Sequence, residues 1–178
     1  MALRNLQDLL VEQTRDLYDA EMQYQNLLPT MLASASDADL RQELQSIGWD
    51  VEENLLALQR ACTLLEVEAD GVACEAMRGL VREARGTLDE TGDPCVIDAA
   101  LIANAQRIVH YEIAGFGTAR QFARIIGHEE LTTIFEDLAG LAGGHDRELT
   151  RVAQGEWFTE GVNRHAETTR TVEAYQRS

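Results

Sequence analysis

Two glutamates interrupt apolar stripes of helical period in this chain. Glu21 lies four residues after Leu17, and Glu112 lies four residues after Ile108. Residues three or four apart share one face of an α-helix, so both glutamates are expected on a buried face. A buried carboxylate is costly unless it is paired or binds a cation. The spacing therefore predicts that these carboxylates meet a cationic group inside the protein.

Three further polar side chains fall on or beside inward positions. His145 lies three residues after Ala142, with Asp146 next to it, and Asp50 lies three residues after Ile47. Carboxylate and imidazole ligands together suit iron or manganese. No nucleophile–base arrangement and no glycine-rich phosphate loop accompanies them. The candidate metal ligands are therefore Glu21, Asp50, Glu112, His145 and Asp146.

A two-metal centre needs more ligands than this set provides. Di-iron helix bundles take one glutamate from each of two helices and a Glu-x-x-His pair from each of the other two. Glu21 and Glu112 fill the single-glutamate roles. AlaGlyGlyHis at 142–145 has the histidine without the acid, and the segment around Asp50 has acids without a histidine. The predicted centre is degenerate. The alternative is that the glutamates are structural acids, held by a tyrosine hydroxyl, by His145 or by Arg107.

Four long apolar stripes must position these side chains. The period predicts helices of about 25 to 32 residues, and the stripes cover residues 3–35, 40–65, 97–126 and 131–152. A short helix is expected at roughly 72–90. Ser36 is expected to cap the second long helix, Asp93 to cap the third ahead of Pro94, and Gly127 to end it.

This pattern predicts an all-α protein with a ferritin-like four-helix bundle. The long connection between the second and third long helices allows a crossover that contains the short helix. We assign residues 1–154 to the bundle domain and residues 155–178 to a polar C-terminal tail. The tail is expected to be partly helical and docked by Trp157 and Phe158. No strand is predicted.

Composition limits the classes of partner. The chain has 178 residues, 31 acidic against 15 basic side chains, and a net charge of −16. Such a surface repels phosphate backbones, so nucleic acid is not expected. No apolar run is long enough for a membrane span and no signal peptide is recognised, so a cytoplasmic location is expected. Three cysteines are consistent with buried thiols, and a Cys74–Cys95 disulfide is the alternative.

Four segments resemble a known family. They are LYDAEMQ (17–23), LPTML (28–32), CEAMRGLVREA (74–84) and DAALIANAQRIVHYEIAGFGT (98–118). Over residues 6–153 the chain is similar to the YciE/YciF-type ferritin-like stress proteins of bacteria. The resemblance implies a ferritin-like bundle, a homodimer and a link to stress responses, with no settled biochemical activity.

This chain departs from that family at positions around the predicted metal centre. The resemblance implies a histidine where this chain has Ile47, a glutamate where it has Val109, and a glutamate-rich run where it has AGLAGG (139–144). Acidic positions of the family are matched by Glu21, Asp50, Glu112 and Asp146, and His110 also matches. The comparison implies a former metal site that apolar side chains have refilled.

Two functional hypotheses follow. In the first, the protein is a non-catalytic or weakly metal-binding stress-associated homodimer. In the second, Glu21, Glu112 and His145 hold iron or manganese that handles peroxide or oxygen. The sequence does not decide whether the protein is an enzyme, and an iron-storage cage is disfavoured.

Glycines at 140, 143 and 144 either permit close helix packing or loosen their helix, and GlyPheGly at 115–117 is expected to serve close packing.

Overall fold

Capping side chains set where the helices of this protein begin. The computed structural model describes residues 3–156 and 159–167. The principal helices are α1 (Leu6–Ser34), α2 (Ala38–Leu64), α3 (Glu75–Leu88), α4 (Pro94–Ile125) and α5 (Glu129–Gln154). Asn5 accepts the amide of Asp8 at 2.8 Å, and Asp93 accepts the amide of Cys95 at 2.9 Å with Pro94 as the first helical residue. The predicted Asp93 cap is confirmed.

The four long helices form a bundle with a crossover. α1 packs on α2 and α4, and α5 packs on the same two helices. The end of α1 lies beside the start of α4, because Asp98 accepts hydrogen bonds from Ser36 and from the Asp37 amide. α4 is therefore antiparallel to α1 and parallel to α2. α3 lies within the connection and packs outside α1 and α4. The all-α, ferritin-like bundle with a short extra helix is confirmed.

The bundle interior is mainly apolar along the predicted stripes. Pro29 lies inside α1, which continues to Ser34. In α5 the inward position is taken by Phe135, while Ile134 is only partly buried. The largest fully buried side chains come from all five of these helices: Tyr24, Phe116, Phe135, Leu10, Leu17, Leu27, Met31, Leu40, Leu44, Ile47, Leu58 and Met77.

Several expected boundaries are wrong. Ser36 does not cap α2: Asp37 does, accepting the Leu40 amide at 2.9 Å, because the Ser36 hydroxyl instead donates to Asp98. Leu3 precedes α1 and is 56% exposed. The short helix expected at 72–90 is limited to Glu75–Leu88, and the Cys74 sulfur caps it by accepting the Met77 amide.

Glycine packing differs from the expectation in α5. A Cβ added to Gly140 or Gly144 would have no atom of another helix within 4 Å, so close packing between helices does not require glycine at these positions. A Cβ on Gly115 would lie 2.5 Å from Leu17 Cδ2, and here α4 does approach α1 closely. The expectation for GlyPheGly therefore holds at Gly115 and not at Gly117, which has open space.

The chain after α5 forms a small hairpin that was not predicted. β1 (Gly155–Glu156) pairs antiparallel with β2 (Thr159–Glu160). Gly155 has φ 77°, and a Cβ there would lie 2.2 Å from the Thr159 carbonyl oxygen, so glycine is required. Residues 162–167 are helical. The expected docking by Trp157 and Phe158 lies outside the described residues.

The three cysteines are free thiols: Cys62, Cys74 and Cys95. The alternative Cys74–Cys95 bridge is not formed. In the described part of the chain, no helix combines the length and hydropathy that crossing a bilayer requires.

Candidate metal centre

Glu21 of α1 and Glu112 of α4 meet inside the bundle. Their side chains are 0% and 3% exposed, which confirms that both point inward. Their carboxyl groups lie close enough that each changes the pKa of the other. As two carboxylates, each would leave a buried Oε1 without a donor. We call Glu21 and Glu112 the carboxyl pair.

Burial governs the protonation of the carboxyl pair. It raises the pKa of Glu21 from 4.5 to about 7, although an Asn54 amide hydrogen bond, the contact with Glu112 and the positive charge of His145 oppose the rise. Burial also raises the pKa of Glu112 well above its ordinary value, and the neighbouring Glu21 charge raises it further. Both members of the carboxyl pair are therefore harder to ionise than an ordinary glutamate.

Asn54 and Tyr24 complete the surroundings of the carboxyl pair. Asn54 Nδ2 donates to Glu21 Oε2 at 3.3 Å, which links α2 to α1. The Tyr24 hydroxyl and the Asn54 Oδ1 are buried, and neither has a hydrogen-bond partner among the residues that the structure describes. Neither a tyrosine hydroxyl, nor His145, nor Arg107 makes a hydrogen bond to the glutamates in the described residues; the amide of Asn54 has that role.

His145 is held by α2 instead of by the carboxyl pair. Its Nδ1 lies 2.7 Å from Glu43 Oε1, and its Nε2 lies 3.0 Å from Asp50 Oδ2 in an ion-pair contact that is not aligned as a hydrogen bond. Burial alone would lower the pKa of His145, but the two carboxylates outweigh burial and raise this pKa above 6.5. We call these three residues the His145 clamp, which joins α5 to α2.

Asp146 lies apart from both groups. Its Oδ1 is 2.9 Å from His110 Nε2 and 3.5 Å from Gln106 Nε2, and the His110 side chain is 64% exposed. Adjacent residues on a helix point about 100° apart, so Asp146 turns to α4 where His145 turns to α2.

These positions do not fit a ferritin-like two-metal centre. The five candidate ligands divide into the carboxyl pair, the His145 clamp and the surface pair of Asp146 and His110. Within residues 3–156 and 159–167, no three His, Cys, Asp or Glu side chains converge where a metal ion could lie. Metal binding by the five residues stays a prediction.

Comparison with known proteins identifies the family. A family model described as "Domain of unknown function (DUF892)" matches residues 5–167. The chain belongs to the DUF892 family. A relative of this chain, Protein YciF of Escherichia coli strain K12, is 29% identical over 171 residues, which span 94% of this chain and 98% of YciF.

Three solved structures share the fold of this chain. YcfI of Rhodopseudomonas palustris is 34% identical with a TM-score of 0.82, covering 85% of this chain and 96% of its own. The E. coli stress protein YciF is 26% identical with a TM-score of 0.79, covering 83% of this chain and 93% of its own. A Xanthomonas campestris protein, 16% identical with a TM-score of 0.70, shares the fold and covers 97% of this chain and 99% of its own.

Two buried polar residues of this DUF892 chain, Glu43 and Asn54, are absent from the ligands predicted above, although the helical period places both on inward faces. Glu43 lies three residues after Leu40 and four before Ile47, which is an inward position by the same period that found Glu21. Asn54 is likewise inward, but an amide carries no charge that would draw attention to it. A search for buried polar residues of every type, beyond acids and histidines, would have found both.

Proposed function

We propose that this DUF892 protein is a non-catalytic, stress-associated, ferritin-like protein with a degenerate metal centre. The family relationship to E. coli YciF, which is described as a stress protein, supports the association with stress. We further propose that it acts in the cytoplasm as a homodimer.

One observation supports the loss of the metal centre above all others. The raised pKa values of Glu21 and Glu112 favour their neutral forms, and His145 lies between the carboxylates of Glu43 and Asp50. A metal ion is therefore not needed to balance their charges. The positions where the family resemblance implies further ligands hold the buried apolar residues Ile47, Val109 and Ala142.

Metal titration tests this proposal. Apoprotein would be titrated with Fe²⁺ without oxygen and with Mn²⁺, and both bound metal and thermal stability would be measured. We expect substoichiometric binding and an unchanged melting temperature. One tightly bound ion per chain, with a rise in melting temperature, would overturn the proposal, because a ligand at 100 times its Kd stabilises the folded state by about 2.7 kcal/mol.

A Glu21→Gln, Glu112→Gln double variant provides the matched control. The acidic surface attracts cations without a built site, and such binding persists in this variant. Binding that disappears in it belongs to the carboxyl pair.

A second candidate function has its own support. Among residues 3–156 and 159–167, four buried side-chain oxygen atoms have no hydrogen-bond partner: Glu21 Oε1, Tyr24 OH, Asn54 Oδ1 and Glu112 Oε1. Oxygen donors suit a single hard cation such as Mn²⁺. Under this alternative, the chain supplies two carboxylates that bind the ion, which would handle peroxide or oxygen. The same titration distinguishes the two functions.

Exposed apolar side chains on α2 support the proposed homodimer. Trp49 is 62% exposed and Leu56, seven residues later on the same helix face, is 59% exposed. Large exposed aromatic side chains are common anchors of interfaces. We expect Trp49→Gln to shift the protein from dimer to monomer in sedimentation velocity. A variant that stays dimeric, or a wild-type protein that is monomeric, would contradict this assignment.

A further inference from the structure

A groove between α1 and α3 lies outside the bundle interior and belongs to neither the carboxyl pair nor the His145 clamp. Its volume is about 300 Å³. The lining contains guanidinium groups, two carboxamides and one apolar side chain, and no acid: Gln23, Asn26, Arg78, Val81, Arg82 and Arg85. In a chain with a net charge of −16, a groove lined in this way is locally positive.

The arginines form one row on α3. Arg78, Arg82 and Arg85 stand at spacings of four and three, so their side chains share one helix face. Like charges at these spacings repel each other and do not favour the helix. All three are exposed, so core packing does not explain the row.

Two of the three guanidinium groups lack an internal counter-charge. Arg78 pairs with Glu75 at 2.7 Å. In the described part of the chain, Arg82 and Arg85 make neither an ion pair nor a hydrogen bond. Other arginines do find acids, as when Arg151 pairs with Glu148 at 2.6 Å. Free donors therefore converge on one groove.

We propose that this groove, which we call the arginine groove, binds a compact phosphate-bearing small molecule. The guanidinium group presents a planar fork of donors that matches phosphate oxygens two at a time. Arg82 and Arg85 supply these donors from α3, with Arg78 beside them. Asn26 supplies a carboxamide from α1; its Nδ2 donates one hydrogen to the Met22 carbonyl oxygen and has a second one free.

Charge favours a small anion over a nucleic acid. At physiological ionic strength, electrostatic interactions between exposed charges are screened beyond about 8 Å. A phosphate compound no larger than the groove is attracted mainly by the arginines. A longer polyanion extends beyond them over the surface of a chain with 31 acidic and 15 basic residues.

Calorimetric titration of the full chain with inorganic phosphate, pyrophosphate and tripolyphosphate at constant ionic strength tests the proposal. We expect saturable binding at one site per chain that strengthens with the number of phosphates. Arg82→Gln, Arg85→Gln should weaken the binding of tripolyphosphate by at least about tenfold, since each charge-assisted hydrogen bond contributes that much to affinity. Because both side chains are exposed, circular dichroism should show the variant fully folded.

Arg120→Gln, Arg124→Gln is the matched control. These two arginines lie four residues apart near the end of α4, in another groove that also contains Glu129 and Glu136. The control removes the same net charge, and we expect it to bind tripolyphosphate as the wild type does. Equal weakening in both variants would reduce the effect to net charge and overturn the proposal. Absence of saturable binding, or equally tight binding of a 20-nucleotide single-stranded DNA, would also overturn it.

Discussion

Replacing Glu21 by glutamine should stabilise the protein, and the gain should depend on pH. The substitution keeps the size of the side chain and the hydrogen bond from Asn54, and it adds an amide that can donate to the free Glu112 oxygen. What it removes is the ability of residue 21 to become a buried charge. The carboxyl pair therefore predicts a gain where most core substitutions give a loss.

The magnitude follows from the raised pKa of Glu21. This pKa lies above its value of 4.5 in the unfolded chain, so ionisation is less favourable in the folded state. The penalty is absent below pH 4.5, grows as the pH rises, and is complete above the folded pKa of about 7. The difference between the two pKa values corresponds to about 3 kcal/mol.

Urea denaturation at pH 5 and pH 8 measures the effect. Glu21→Gln should match the wild type within about 1 kcal/mol at pH 5, and exceed it by about 3 kcal/mol at pH 8. Glu12→Gln is the matched control, because Glu12 is exposed on the same helix. It should change the free energy of unfolding by no more than about 0.5 kcal/mol at either pH.

Two results would refute this reasoning. One is a gain that is equal at both pH values, since a buried ionisation cannot produce it. The other is a Glu21→Gln variant that is less stable at pH 8 than the metal-loaded wild type. This result would mean that Glu21 is needed as an anionic metal ligand.

Three further outcomes are expected in urea denaturation. Gly115→Ala should lower the free energy of unfolding by about 1–3 kcal/mol, because the new Cβ would lie 2.5 Å from Leu17. Gly140→Ala has open space around it and should raise the free energy of unfolding by about 1 kcal/mol. Similar values for both variants would contradict the packing described. His145→Ala should cost about 3 kcal/mol at pH 6, because it leaves two carboxylates unpaired. That cost should shrink by pH 9, since a histidine with a raised pKa contributes its ion pairs only while protonated; a cost unchanged with pH would contradict the clamp. Asp98→Ala removes the acceptor of three hydrogen bonds and should cost about 3 kcal/mol, with faster amide hydrogen exchange at the start of α2; unchanged exchange there would contradict its bridging role.

Helical period alone could predict the bundle and the inward direction of Glu21 and Glu112. It could not say which inward side chains meet, because the rotation and height of one helix against another depend on packing across the whole core. His145 illustrates this: its position was predicted, but its partner Glu43 lies 102 residues away in the chain. Asp146 shows a second limit, since neighbours on one helix turn to different partners.

Caps and glycines show a third limit. Ser36 and Asp37 are both good capping residues. Asp37 caps α2 because the Ser36 hydroxyl donates its hydrogen bond to the buried Asp98. Gly115 and Gly140 look alike in the sequence, yet one faces a leucine and the other faces open space.

The crossover bears on the order of folding. Short loops join α1 to α2 and α4 to α5, so each hairpin can form from local contacts, while the long connection must close before the two hairpins dock. Glu21 and Glu112 belong to different hairpins and lose their hydration only on docking. Alkaline pH should therefore slow the docking step or speed its reversal, and leave the formation of each hairpin unchanged.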